Sequence, residues 1–163
     1  MQDIGPFAGH SPGRERPLGG YAALTGAFAG LAGGFAAWFR ASGRELPERM
    51  ETRDLVLVTL ATQKAARLVA KDRVTSAARA PFTRFEGDAG PGEVDEAARG
   101  HGLRRALGEL LVCPYCLSVW FAAALTAGLL VAPRATRWLA SALTAVLGAD
   151  VLQIAYRKVE DAL

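Results

Sequence analysis

The sequence predicts an all-α fold, a polytopic membrane helical bundle with four transmembrane helices and a long cytoplasmic loop between helices 2 and 3. Three observations predict it. Residues 17–39 and 110–133 contain no Asp, Glu, Lys or Arg, and each exceeds the ~20 apolar residues that cross a bilayer. Two further apolar runs, Leu55 to Ala70 and Trp138 to Tyr156, complete four candidate spans. Basic residues gather beside these segments, where a positive-inside arrangement puts them.

Composition excludes the main alternatives. The 163 residues and 17.2 kDa suit one domain. Hydrophobic residues make up 51 %, too many for a disordered chain. The pI is near 9.2, but the net charge is only +3 and the basic residues flank apolar segments, so no nucleic-acid partner is expected. Sixteen of the nineteen basic residues are Arg, and Ala and Gly are abundant. That usage fits a GC-rich bacterial genome, and the expected location is the bacterial inner membrane.

Residues 1–16 are polar with Gly and Pro, and read as a flexible tail carrying His10. The first span, within 17–39, reaches ~33 Å over its 22 apolar residues from Leu18. A cleaved signal peptide is the competing reading, with Ala27-Phe28-Ala29 as the cleavage site. The apolar run continues ten residues beyond that point, further than a signal peptide needs. Ala22, Gly26, Gly30 and Gly34 fall on one face of this helix and permit close backbone approach. Their partner is either another part of the chain or a second copy or membrane protein.

Residues 40–53 form a charged connection, and Asp54 resembles an N-cap for the second helix. Leu55 to Ala70 carries Gln63, Lys64 and Arg67. Leu60, Lys64, Arg67 and Lys71 share a stripe at helical spacing. This segment is either a span with its polar stripe turned into the bundle or an amphipathic helix lying on the surface. Residues 71–109 are polar, with a Gly-rich and acidic part at 84–102 expected to be a mobile loop and no alternating strand pattern. The basic stripe of Arg73, Arg79 and Arg84 with Phe82 and Phe85 suits anionic headgroups. The third span runs from Leu110 to Ala132. The fourth is Trp138 to Tyr156, interrupted by Asp150, and residues 157–163 are a tail.

Sidedness follows from counting. With four spans, eleven Lys and Arg lie on the side of the two termini and six on the other. Both termini are therefore expected in the cytoplasm. Trp38 and Trp138 then fall at the outer interface, where aromatic residues collect.

Cys113-Pro114-Tyr115-Cys116 is the sharpest local motif. It matches the glutaredoxin tetrapeptide, but no strand precedes it and a hydrophobic helix follows, so that soluble fold is rejected. Pro114 suits the first position of a helix, which leaves Cys113 near the N-cap, where the helix dipole lowers a thiol pKa. Three roles stay open: structural packing, thiol–disulfide exchange and metal ligation. A zinc site needs four ligands and only His101 and His10 add nitrogen, so no metal or other cofactor is expected.

Charges inside the spans form a second constellation. Lys64 lies seven residues before Lys71, and Asp150 seven before Arg157, so both sit ~10 Å from the cytoplasmic boundary. Arg67 is one turn shallower. The cysteines fall at a similar depth. Intramembrane charges are costly and face partners or water, so Asp150 is expected to pair with Lys64 or Arg67. No phosphate loop or HExxH is present.

Arg67, the AKDRVTSAARAPF stretch and LLVCPYCLSVWFAAAL, taken in order, resemble the bacterial membrane-protein family catalogued as domain of unknown function 1360, over residues 54–156. The matching positions are Arg67, Asp72, Thr75, Arg79, Pro81, Cys113, Cys116 and Trp120. The resemblance implies a helical membrane domain and no established reaction. The first helix is an addition to it. The leading expectation is therefore a small integral membrane protein that acts as a structural or partner-binding component rather than an enzyme, in contact with the lipid bilayer. A homo-oligomer or membrane partner would form through the small-residue face. The alternatives are a membrane thiol–disulfide oxidoreductase using Cys113 and Cys116, and a small transporter or channel subunit using Lys64, Arg67 and Asp150.

Overall fold

A computed structural model describes His10 and residues 16–162; the rest of the expected N-terminal tail lies outside the described residues. Helix α1 (Leu18–Ala41) is charge-free until Arg40. It closes where the Ser42 hydroxyl bonds the Phe39 carbonyl and Gly43 turns the chain at φ 68°, a left-handed angle that suits glycine. Helix α2 (Thr52–Lys71) follows. A 3₁₀ turn (Arg73–Thr75) and the one-turn α3 (Ser76–Arg79) lead into the antiparallel strands β1 (Thr83–Gly90) and β2 (Glu93–Ala98). Three helices complete the chain: α4 (Gly102–Leu111), α5 (Pro114–Val131) and α6 (Pro133–Glu160).

Three helices, α1, α5 and α6, are long and apolar enough to cross a membrane. Their outer faces carry exposed Leu31, Trp38, Trp138, Leu152, Ile154 and other large apolar side chains. So much exposed apolar surface suits lipid as the solvent, since water-soluble monomers rarely show large apolar patches.

Helix α2 differs. Asp54, Lys64, Arg67 and Lys71 keep it out of the apolar class, yet it is the most enclosed helix of the bundle. Val58, Ala61, Ala65, Ala66 and Ala70 are all buried. They recur at helical spacing and pack α2 between α5 and α6. One apolar cluster joins Val58 and Ala61 to Leu125 and Ala140. A second joins Ala66 and Ala70 to Leu117, with Phe121 beside it. The small alanines let three backbones approach closely.

The end contacts give the direction of each helix. The start of α1 meets α4 at Gly20, where an added Cβ would lie 2.6 Å from the Ala106 Cβ. The starts of α2 and α6 meet through Asp54 and Arg137. Consecutive long helices therefore alternate up and down. The hairpin, α4, the start of α5 and the ends of α2 and α6 share one end of the bundle.

Several expectations need correction. Residues 84–102, expected to be a loop without strands, contain most of a β-hairpin, so the fold is not purely α. Two register shifts, at Phe85/Gly87 and Asp88/Gly90, break the alternation that would have marked a strand. Val94 is the one large apolar residue of the two strands that is buried. The third span does not begin at Leu110. The helix ends at Leu111, and α5 starts at Pro114, which needs no N–H partner there. Helix α6 also extends through Glu160, taking in part of the expected tail. Asp54 is not an N-cap; Glu51 holds that position, and Asp54 lies within the first turn.

Candidate functional site

Lys64 sits on the enclosed face of α2 at 5 % exposure. Its Nζ lies 2.8 Å from the Asp150 Oδ2 of α6 and 3.6 Å from the Asp72 Oδ2 that follows α2. Burial strips this ammonium of water, and the two carboxylates offset that desolvation cost. Arg67, one turn on, does not reach Asp150. Its guanidinium forks onto both carboxylate oxygens of Glu93 at 2.7 and 2.8 Å. Lys71 bonds Asp95 and Arg73 bonds Asp88. The end of α2 thus carries a row of cations facing a row of acids on the hairpin. Exposed pairs such as Arg73–Asp88 contribute about 0–1 kcal/mol, so the row matters mainly for placing the hairpin. A cavity of about 400 Å³ opens between α2, the hairpin turn and α6, lined by Gln63, Lys64, Arg67, Glu93, Asp150 and Arg157 among others.

Behind this cavity lies a polar knot centred on Arg79, which has 0 % exposure. Its guanidinium bonds both oxygens of Glu96, at 2.8 and 3.1 Å. It also donates to the Val69 and Asp72 carbonyls and to the hydroxyls of Thr75 and Ser76. The Val69 carbonyl is one of the last four of α2, which have no N–H partner within the helix, and the helix dipole favours a cation there. Thr75 adds a hydroxyl bond to the Leu68 carbonyl at 2.7 Å. Arg79 and Thr75 together cap α2, and the bond of Arg79 to Glu96 ties that cap to β2. The Pro81 carbonyl accepts from Arg104 of α4. The expected headgroup stripe of Arg73, Arg79 and Arg84 is therefore not one surface, because Arg79 is fully inside.

Burial pushes the Glu96 carboxyl up, but hydrogen bonds from Arg79, Thr83 and Ser76 outweigh it and hold the pKa below the usual glutamate range. A folded pKa below the unfolded one stabilises the fold at pH above that range. The contribution is lost as pH falls through the folded value. The expected result is a melting temperature that drops as pH falls below about 4, with that part of the slope missing in Glu96→Gln. Equal slopes in thermal scans of the two proteins would show that this carboxylate is not held by Arg79.

Cys113 is the N-cap of α5, and its sulfur accepts the Cys116 N–H at 3.1 Å. The two cysteines are joined as a disulfide. Cys116 lines a second cavity, of about 420 Å³, between α1, α4 and α5, with Tyr21, Phe28, Glu109 and Trp120. The Tyr21 hydroxyl donates to Glu109, which also accepts from Arg105 at 3.0 Å. Trp120 packs edge-on against Phe28, with ring centres 5.1 Å apart.

Cys116 and the Lys64 cluster line different cavities, and no lining residue is common to the two. The apolar cluster of Ala66, Ala70 and Leu117 stands between α2 and the start of α5. The residues expected at one depth thus border two separate cavities. Nothing among the described residues packs on Gly26, Gly30 and Gly34, since an added Cβ there would find nothing within 4 Å. Among the described residues, no three His, Cys, Asp or Glu side chains come together in a metal-binding group.

The residues missed from the sequence are Glu93 and Glu96, Tyr21 with Glu109, and Asp54 with Arg137. The last pair is bidentate, at 2.9 and 2.7 Å, and pins α6 to α2 at the end away from the hairpin. Its only sequence signal is charge near the starts of two long helices.

Residues 57–156 match the profile of a family described as Protein of unknown function (DUF1360). The chain is also similar to the sporulation protein YjcA of Bacillus subtilis (strain 168), 38 % identical over 88 residues, which cover 52 % of this chain and 75 % of that protein. No solved structure matches.

Proposed function

We propose, from the premise that this chain belongs to the DUF1360 family, that it is a four-span structural component of the bacterial inner membrane that binds partners. Both termini and the hairpin then face the cytoplasm. The observation that carries the reading is the enclosure of α2. Its charged side chains are turned to α6 and the hairpin, so a helix too polar to meet lipid crosses inside a sleeve of α5 and α6. The eleven-to-six excess of basic residues at the hairpin end supplies the orientation.

The contact surface in this reading is the glycine face of α1. Helix α1 rests on α4 near its start and on Trp120 through Phe28, and leaves Gly26, Gly30 and Gly34 open. Glycines at this spacing pack helix to helix in lipid, and a second copy of α1 has the matching face. The sporulation role printed in the name of the Bacillus relative is the process in which we place this assembly. In nanodiscs of rising lipid dilution, Gly30→Ile is expected to weaken self-association at least about tenfold, or ~1.4 kcal/mol. Wild-type protein that stays monomeric at every dilution would overturn the homo-oligomer.

A second reading, a membrane thiol–disulfide oxidoreductase, is favoured by one observation: the Cys113–Cys116 disulfide does not pack into the core but borders a cavity through Cys116. Cys113, at the helix N-cap, is then the nucleophile and Cys116 the resolving thiol.

A further inference from the structure

We propose that the cavity beside Cys116 holds the ring of a membrane-dissolved quinone, which accepts electrons from the Cys113–Cys116 dithiol; this rests on the oxidoreductase reading. Three observations converge on that ligand class.

The first is the shape of the space. The cavity of about 420 Å³ shares Phe28 and Trp120 with an apolar groove of about 520 Å³, which continues between α1 and α5 past Leu31 and Phe35. A compartment with polar groups on one wall thus adjoins a mostly apolar groove, with the Phe28–Trp120 ring pair where the two meet. An amphiphile with a compact head and a long hydrocarbon tail fits both.

The second is the charge of the head compartment. Its polar wall is the phenol of Tyr21 and the carboxylate of Glu109, and the Arg105 guanidinium is already bonded to that carboxylate. A phosphate head would meet a like charge there. A neutral ring with carbonyl oxygens can take the Tyr21 O–H once it turns from Glu109, which keeps its bond from Arg105 and is able to carry a proton.

The third is electron accounting. The chain has two cysteines, so no second thiol pair exists to take electrons from the first. The acceptor must be another molecule that reaches this cavity from the membrane. A quinone is neutral, lipid-soluble and takes two electrons.

In the reaction the two S–H bonds break and one S–S bond forms. Two electrons and two protons pass to the quinone, whose two carbonyl oxygens become hydroxyls. The dithiol is restored by exchange with a reduced dithiol protein, which leaves as its own disulfide. On the proposed cytoplasmic side such dithiols are abundant, because that compartment keeps thiols reduced.

The test uses the full chain in detergent, reduced, freed of reductant and kept anaerobic. Decylubiquinone is added. Quinol formation is followed by absorbance and free thiols by maleimide mass tagging. The expected result is one quinol for each disulfide formed, no reaction in Cys116→Ser, and a rate at least about tenfold above that of the same ring without its tail. Equal rates with the tail-less ring would overturn the groove's part in binding. Oxidation of the dithiol by oxidised thioredoxin but not by decylubiquinone would overturn the quinone and leave the oxidoreductase reading standing. Thiols that neither oxidant converts would overturn both.

Discussion

Replacing Arg79 with alanine is expected to cost about 3–5 kcal/mol, enough to unfold the hairpin end of a marginally stable bundle. Arg79 is fully buried, and its Glu96 partner keeps only 5 % side-chain exposure. Truncation leaves that carboxylate without a countercharge. It also strips the Val69 and Asp72 carbonyls of a donor at the end of α2. Lysine is a poor substitute. One ammonium cannot fork onto Glu96 and also reach the carbonyls, because it lacks the planar spread of donors. Arg79→Lys is therefore expected to lose most of the same stability, and Glu96→Gln less, since a neutral amide can still accept from the guanidinium. Unfolding in detergent, followed by circular dichroism, checks the order. An Arg79→Ala protein within about 0.5 kcal/mol of wild type would mean that the knot is absent from the native state.

Lys64 carries the second large effect. Lys64→Ala removes the ammonium and leaves Asp150 and Asp72 facing each other without it, at an expected cost of about 3 kcal/mol. Asp150→Asn is milder, because Lys64 keeps Asp72 at 3.6 Å and the amide can still accept a bond. Combining the two changes should recover part of the Lys64→Ala loss, since the surplus carboxylate is then neutral. That non-additivity is the signature of a direct pair. Folded yield and unfolding midpoints of the two single variants and the double variant measure it. Strict additivity, or a larger loss in Asp150→Asn than in Lys64→Ala, would show that the two side chains do not meet.

The three apolar helices were legible because lipid-facing segments must be apolar all round, and charge-free runs say so directly. The Lys64–Asp150 contact was legible as arithmetic on depth, because two helices running the same way bring equal distances from the boundary to one level. The family resemblance singled out Thr75 and Arg79 but not their work, because the cap of α2 needs Glu96, a residue that reads as one more charge in an acidic stretch. The hairpin escaped because its bulges destroy the period-two pattern and its faces bury little besides Val94 and Thr83. Sequence separation hid the rest. Tyr21 and Glu109 lie 88 residues apart, and Asp54 and Arg137 lie 83 apart. Neither spacing has a local signature. The glycine stripe of α1 was visible, but a stripe of small residues does not say what it touches.

The proposed crossing of the bilayer by helix α2 underlies the four-span reading and its sidedness. Cysteine labelling in intact cells addresses it directly, in a background with Cys113→Ser and Cys116→Ser. Ser42→Cys, beyond α1, should react with a membrane-impermeant maleimide added outside. Asp88→Cys, in β1, should react only after the cells are permeabilised. If both positions label from the same side of the membrane, α2 does not cross and the four-span bundle is wrong.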